Sequence, residues 1–447
     1  MTRTFVRFTC EECGYESPKW LGRCPDCGSW GALAERTGAG ATTATVSTPR
    51  PIAAVGDTAA HRLATGVSEL DRVLGGGLVA GSVTLLGGEP GVGKSTLLLQ
   101  ALGEMSARGA RCLLVSAEES VAQVKLRADR LGTLAPELLV VAETSLPTIA
   151  GHVAGVEPTV IAIDSIQAVH DPDAPGAAGS VSQVRECAQR AVRIAKEHDI
   201  ATVLVGHVTK EGSLAGPRTL EHVVDTVLSF EGDRHHALRM LRSLKHRFGA
   251  TDELGLLEMG TDGLTTVADP SSMFLADRRP FASGSAATVV MEGMRPLCLE
   301  VQALVALTHA TMPRRVAQAF DTGRLAMLVA VLTKRSSRIG VTNDDVYVSV
   351  AGGVRITEPG ADLAVAAAIA SSKVDQPIAS DTVLIGEVGL GGEVRQAPQA
   401  LRRLQEAVRL GFRRAVVPES TPDVPGLRLD RVETLEEALV MTGTDGR

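Results

Sequence analysis

The run Gly88-Glu89-Pro90-Gly91-Val92-Gly93-Lys94-Ser95 constrains this chain more than any other stretch. It fits the pattern G-x-x-x-x-G-K-[ST] without a mismatch, and Thr96 follows directly. Glycines let successive backbone N–H groups wrap a chain of phosphates, and the helix that follows turns its positive end toward them. Lys94 is placed to reach the β- and γ-phosphates, and the Ser95 hydroxyl to hold Mg²⁺. Such a loop has to join a strand to a helix. Residues 82–86 supply a short apolar strand, and residues 94–107 a helical pattern. ATP and Mg²⁺ are the implied ligands, with residues 88–96 as the cradle.

Around this loop the texture is that of an α/β fold. Residues 112–116, 159–163 and 201–205 are short apolar strands, and 181–198 is helical in pattern. This alternation predicts a largely parallel sheet covered on both faces. Asp164 ends one strand, where a carboxylate holds Mg²⁺ through water; a capping Asp is the alternative. Glu118 and Glu119 follow another strand. Either carboxylate there can polarise an attacking water, or simply sit in the first turn of the next helix, which is the better reading for Glu119. Two β-rich stretches within 225–244 flank Gly232-Asp233-Arg234 and predict a hairpin at the sheet edge. From about residue 286 a second α/β region follows, with strands near 287–291, 346–350, 383–385 and 414–417 and helices near 323–334, 361–371 and 399–410.

Four of the seven cysteines lie in the first 27 residues, as Cys10-x-x-Cys13 and Cys24-x-x-Cys27, each pair followed by glycine. Four thiolates at that spacing suit tetrahedral Zn²⁺. A closed four-sulfur site has no open position for chemistry, so its work is folding and contact. Trp20 and Trp30 stand in the same segment, either as a contact surface or as packing around the metal. Cys112, Cys187 and Cys298 are scattered and read as small core residues. Residues 37–60, rich in Thr, Ala, Gly and Pro, read as a linker. The expected organisation is a zinc module over 1–36, the linker 37–60, an ATPase domain over 61–270 and a second α/β domain over 271–447. A net charge of −7 excludes a globally basic nucleic-acid coat, so any DNA contact must be local. No apolar run reaches the roughly 20 residues of a membrane span, and the N-terminus lacks a secretion-type apolar stretch. The cytoplasm is the expected location, with no membrane partner.

Several runs together carry a family resemblance: Ala64-Thr65-Gly66-Val67-Ser68-Glu69-Leu70-Asp71, Gly75-Gly76-Gly77-Leu78, Ser116-Ala117-Glu118-Glu119-Ser120 and Lys245-His246-Arg247-Phe248-Gly249. With the N-terminal cysteines, they resemble the bacterial RadA (Sms) family of DNA-repair ATPases, related to RecA and the DnaB helicases. The resemblance spans nearly the whole chain. It implies a RecA-like P-loop core with Glu118 as catalytic glutamate. Lys245 and Arg247 fall in the family signature K-N-R-F-G, with His246 standing in place of the Asn. It further implies a homohexameric ring acting on single-stranded and branched DNA beside a RecA-type recombinase.

The strip from Arg234 to Arg247 carries eight basic or histidine side chains and no carboxylate. Its plausible partners are a neighbouring subunit's γ-phosphate, the DNA backbone, or plain solvent. Lys210 and Arg218, in a loop after a strand, are DNA-binding candidates together with Arg239 and Arg242; the loop 170–180 is a second candidate grip. His207 would sit near the nucleotide or serve structurally. The C-terminal domain resembles the proteolytic domain of Lon, but Ala361 and Val394 fall where the nucleophilic serine and the lysine belong. That implies a scaffold without peptidase activity. Its surface cations, Arg314, Arg315, Lys334, Arg335, Arg338, Arg402, Arg403, Arg409, Arg413 and Arg414, offer a DNA path. An ATP-gated DNA-binding assembly factor without translocation and an ATP-dependent protease are the competing readings.

Overall fold

Short apolar segments flanked by glycine and acidic residues become the buried parallel strands of a large sheet. A computed structural model describes residues 6–10, 16–17, 19–25, 28–31, 33–37, 51, 62–174, 176–207, 219–232, 237–336 and 338–446. Two compact units divide the chain, Met1–Ala59 and Ala60–Arg447. In the smaller unit β1 (Val6–Cys10) pairs antiparallel with β2 (Glu16–Ser17) and β3 (Leu33–Thr37).

The larger unit opens with β4 (Arg62–Leu63), α1 (Ser68–Val73) and β5 (Leu78–Val79). Then come β6 (Val83–Gly88), α2 (Lys94–Ala107), β7 (Cys112–Ser116), α3 (Val121–Leu131), β8 (Leu138–Ala142), α4 (Leu146–Val156) and β9 (Val160–Asp164). They continue into α5 (Val181–His198), β10 (Ala201–His207), α6 (Thr219–Val223), β11 (Thr226–Glu231), β12 (Leu238–His246), β13 (Leu254–Gly260) and β14 (Gly263–Thr266). The strand order is β14-β13-β12-β11-β6-β10-β9-β7-β8, parallel from β11 through β8. Every residue of β6 and β7 is buried, as a sheet covered on both faces requires. Leu86 of β6 and Leu114 of β7 pack with α1, α2 and α3, whereas Val83, Leu85, Leu113 and Val115 pack with α4 and α5.

The β11–β12 hairpin is not at the sheet edge, contrary to the sequence expectation. β11 pairs parallel with β6, and β12 pairs with β13, outside which β14 lies. The two further strands come from 254–266, where glycines and acids interrupt the apolar pattern. Between Val227 and Leu228 the register shifts, leaving Leu244 of β12 opposite no residue of β11. This bulge flips the alternation of β12: Arg239, Leu241 and Ser243 are buried before it, His246 after it.

The remaining elements are α7 (Pro270–Leu275), β15 (Ser285–Glu292), β16 (Arg295–Leu307), β17 (Arg315–Gln318), α8 (Thr322–Arg335), β18 (Asp344–Val350) and α9 (Asp362–Val374). They end with β19 (Thr382–Leu384), β20 (Glu387–Val388), β21 (Val394–Arg395), α10 (Ala400–Arg409), β22 (Arg414–Pro418), β23 (Arg428–Val432) and α11 (Leu435–Thr442). A mixed sheet runs β17-β18-β16-β15-β19-β22-β23. Against it lies α9, buried from Asp362 through Ser371 because it is apolar nearly all round. Leu254 and Leu256 of β13 share an apolar core with Val290 and Leu297 of the second sheet. Buried Glu69 of α1 pairs with Arg295 of β16 and accepts the Leu256 N–H at 2.8 Å. Among the described residues no helix is long and apolar enough to cross a membrane.

Candidate active site

The loop between β6 and α2 is held close to its neighbours. Gly88 pairs with His207 of β10 on one side and Phe230 of β11 on the other, and a Cβ there would collide with the Phe230 carbonyl oxygen. Gly93, the residue before α2, has φ +114°, a conformation that side chains disfavour. Lys94 is buried, and its Nζ donates to the carbonyls of Gly88 at 2.8 Å and Glu89 at 3.0 Å. Burial lowers its pKa, opposed by the negative charges of Asp164 and Glu118.

Asp164 ends β9 and is hydrogen-bonded by the Ser95 side chain. Burial is the main force raising its pKa; the Ser95 bond opposes it and the Glu118 charge adds to it. A hydroxyl beside two crowded carboxylates is an environment that a divalent cation relieves, so Ser95 and Asp164 fit a Mg²⁺ site. Glu118 comes from the turn after β7, which is tied to β9 by the Ala117 N–H donating to the Asp164 carbonyl at 2.8 Å. The Ser165 hydroxyl donates to Glu118 Oε1. Glu119 turns to Arg127 of α3 at 2.5 Å, and both of its backbone groups bond the Ser116 hydroxyl. Neither glutamate is in a first helical turn. Ser120 caps α3 with a reciprocal bond to Gln123, so the helix begins only at Val121.

Lys94, Ser95, Thr96, Glu118 and Asp164 line one cavity of about 540 Å³, with Pro90, Gly91 and Gly93 at its loop wall. The sequence reading missed Arg127, Arg130 and Met259, which also line it. The i, i+3 spacing of Arg127 and Arg130 on the helix after Glu119 was the available signal. Arg239 lines it too, a correction to its reading as part of a DNA-facing strip: it is buried, and its Nε donates to the Val92 carbonyl at 2.9 Å, against the P-loop. Arg242, another DNA-binding candidate, is partly exposed and pairs with Glu292 and Glu231. The other two candidates, Lys210 and Arg218, lie outside the described residues, as do 234–236 and the His207 side chain.

Lys245 and Arg247 are not brought to this cavity. Lys245 Nζ donates to the carbonyls of Glu221 at 2.6 Å and Val224 at 2.7 Å, and burial lowers its pKa. Arg247 is 54% exposed, 3.5 Å from Asp225. His246 is buried between Thr226 Oγ1, 2.9 Å from Nδ1, and the Leu74 carbonyl, 3.2 Å from Nε2. The loop 170–180 is fastened to α5, because Gln183 bonds the backbone at Asp171, Ala174 and Gly176.

Several C-terminal cations read as a DNA-facing surface are engaged within the chain, though only Arg403 among them is buried. Arg403 is fully buried against Glu358; Arg409 pairs with Asp269 and Glu406, and Arg414 with Asp430. Arg315 spends its guanidinium on four backbone carbonyls. Ala361 and Val394 are buried and apolar.

In the smaller unit Cys24 is buried, and Gly28, at φ +74°, donates its N–H to the Cys24 carbonyl at 3.0 Å. That tight turn fits one zinc knuckle. Cys10 ends β1, while Cys13 and Cys27 lie outside the described residues. Among the described residues no group of three or more metal-binding side chains is assembled. Trp20 and Trp30 are exposed, 59% and 78%, rather than packed inward. Burial raises the thiols of Cys112 and Cys298 to about 12 and that of Cys187 to about 11, in keeping with core roles.

Family models match three parts of the chain: an AAA domain over residues 48–213, a rubredoxin metal binding domain over 8–35, and subunit ChlI of Mg-chelatase over 328–421. The chain is 46% identical to the DNA repair protein RadA of Bacillus subtilis, covering 98% of this chain and 99% of that protein. It is 46% identical to that of Listeria monocytogenes (97% of each) and 45% identical to that of Streptococcus pyogenes serotype M1 (98% and 99%). A P-loop core and a zinc-ribbon segment, matched from end to end at this identity, show that the chain belongs to the family of bacterial RadA-type DNA repair ATPases.

Proposed function

We propose that this protein is a DNA-stimulated ATPase of homologous recombination and repair that assembles as a hexameric ring and drives branch migration. The observation that carries the proposal is the single cavity holding Lys94, Ser95, Glu118 and Asp164. Lys94 binds the β- and γ-phosphates, exchanging its loop carbonyls for stronger acceptors. Ser95 and Asp164 hold Mg²⁺, which when bound neutralises charge on the phosphates. Glu118 takes a proton from the attacking water. Lys245 and Arg247 act on a neighbouring subunit's nucleotide; the exposure of Arg247 and its distance from its own chain's cavity support this reading.

Residues 61–270 form the ATPase domain in this proposal, and residues 271–447 a Lon-protease-like scaffold. Buried Ala361 and Val394 leave that scaffold without a nucleophile or base, which argues against proteolysis. Cys10, Cys13, Cys24 and Cys27 would hold zinc, whose contribution is folding of the smaller unit. Single-stranded and branched DNA, a RecA-type recombinase and further copies of this chain are the proposed partners, in the cytoplasm.

ATP turnover of the zinc-loaded protein, with and without single-stranded DNA across a salt series, tests the proposal. Stimulation should fall steeply with salt, as phosphate contacts release counterions. Lys94→Ala should lower turnover by about 100-fold or more. Turnover indifferent to DNA, or undiminished in Lys94→Ala, would overturn it; strand-displacement assays then separate a motor from a stationary assembly factor.

A further inference from the structure

We propose that Ser165 is a positioning residue for ATP hydrolysis, holding the Glu118 carboxylate in the orientation from which it accepts a proton from water. The inference rests on the reading of Glu118 as the base and adds what makes that base effective. Glu118 lies in a turn between β7 and α3, outside regular structure. A glutamate side chain gives up several rotamers when it is fixed, so something has to hold it.

Ser165 is built to do so. It is fully buried directly after β9, and its neighbour's backbone is anchored by the Ile166 N–H donating to the Val205 carbonyl at 3.0 Å. Its hydroxyl donates to Glu118 Oε1. Beside it lies the like charge of Asp164, whose pKa is raised chiefly by burial, with the Glu118 charge adding to the rise. A hydroxyl donor is the group that can retain a carboxylate against such repulsion without neutralising it. It fixes the carboxylate through one oxygen, Oε1, and so sets the direction of the whole group. Glu119 is drawn to Arg127 instead, so the two adjacent glutamates are held by different partners.

In the step itself an O–H bond of water breaks and its proton goes to Glu118. The water oxygen bonds to the γ-phosphorus, and the bond from that phosphorus to the β–γ bridging oxygen breaks, leaving ADP and phosphate. Ser165 acts only by aiming the base, which separates it from a structural role.

The test compares the parent, Ser165→Ala, Glu118→Gln and the double variant for kcat, KM for ATP, ADP affinity and melting temperature. Ser165→Ala should lower kcat about tenfold, because misplacing a catalytic group by a fraction of an ångström costs on this order. KM and ADP affinity should stay within about twofold, and no further loss should appear in the Glu118→Gln background, since residues acting as a unit are non-additive. Ser165→Cys, a weaker donor, should fall between Ala and the parent and supplies the reading if Ser165→Ala does not fold. A parental kcat in Ser165→Ala, or an equal loss in both backgrounds, overturns the proposal while leaving Glu118 as the base. Parental turnover by Glu118→Gln removes Glu118 from the reaction, and this role of Ser165 with it.

Discussion

At Arg239, one side chain shows how burial redirects a charge. In the sequence it belongs to a basic strip suited to DNA; in the fold it is buried against the P-loop, with its Nε on the Val92 carbonyl. A charged hydrogen bond of this kind contributes about 1.5–3 kcal/mol. Arg239→Ala should therefore weaken ATP and ADP binding by about tenfold or more, read by calorimetry. DNA affinity, and its slope against salt, should not move. A changed salt slope with intact nucleotide binding would return Arg239 to the DNA side.

The elements that matter most beyond the site are those joining the two sheets. Helix α1 brings Glu69 against Arg295 of β16 and the Leu256 N–H of β13, all three groups buried. Removing one partner of a buried pair leaves the other charge uncompensated, at a cost of about 3–5 kcal/mol. Glu69→Ala should shift the urea midpoint accordingly and, because α1 precedes the P-loop strand, lower nucleotide-dependent stabilisation as well. A shift worth less than about 1 kcal/mol would mean that water reaches the pair and that the apolar contacts of Leu254 and Leu256 join the sheets without it. The bulge at Leu244 is the other decisive element. It sets His246 inward and leaves Lys245 and Arg247 on the opposite side of the strand, so a one-residue deletion there would exchange their places.

For the whole molecule, the two tryptophans offer a clean report on the metal. Trp20 and Trp30 are the only two in the chain, and both lie in the unit Met1–Ala59. Stripping zinc with a strong chelator should change tryptophan emission, because a four-thiolate module loses its fold without metal. The far-UV circular dichroism of the larger unit should hardly change. Unchanged emission on metal loss, or no metal released, would count against the knuckle reading of Cys10, Cys13, Cys24 and Cys27.

Local chemistry was legible from the sequence because local spacing specifies it. The P-loop, Asp164 at a strand end and Glu118 after another each need only a few adjacent residues, and the structure brings them to one cavity. Helices α2 and α5 fall where their patterns put them, 94–107 and 181–198. What the tertiary structure decided was pairing over distance. The placement of β13 and β14 outside the hairpin, the burial of Arg239 and Arg403, and the meeting of Ser165 with Glu118 all join residues far apart in the chain. A cation looks alike in sequence whether it faces solvent or a buried carboxylate. Only the packed fold, by removing water from one and not the other, determines which charge is free to meet a ligand.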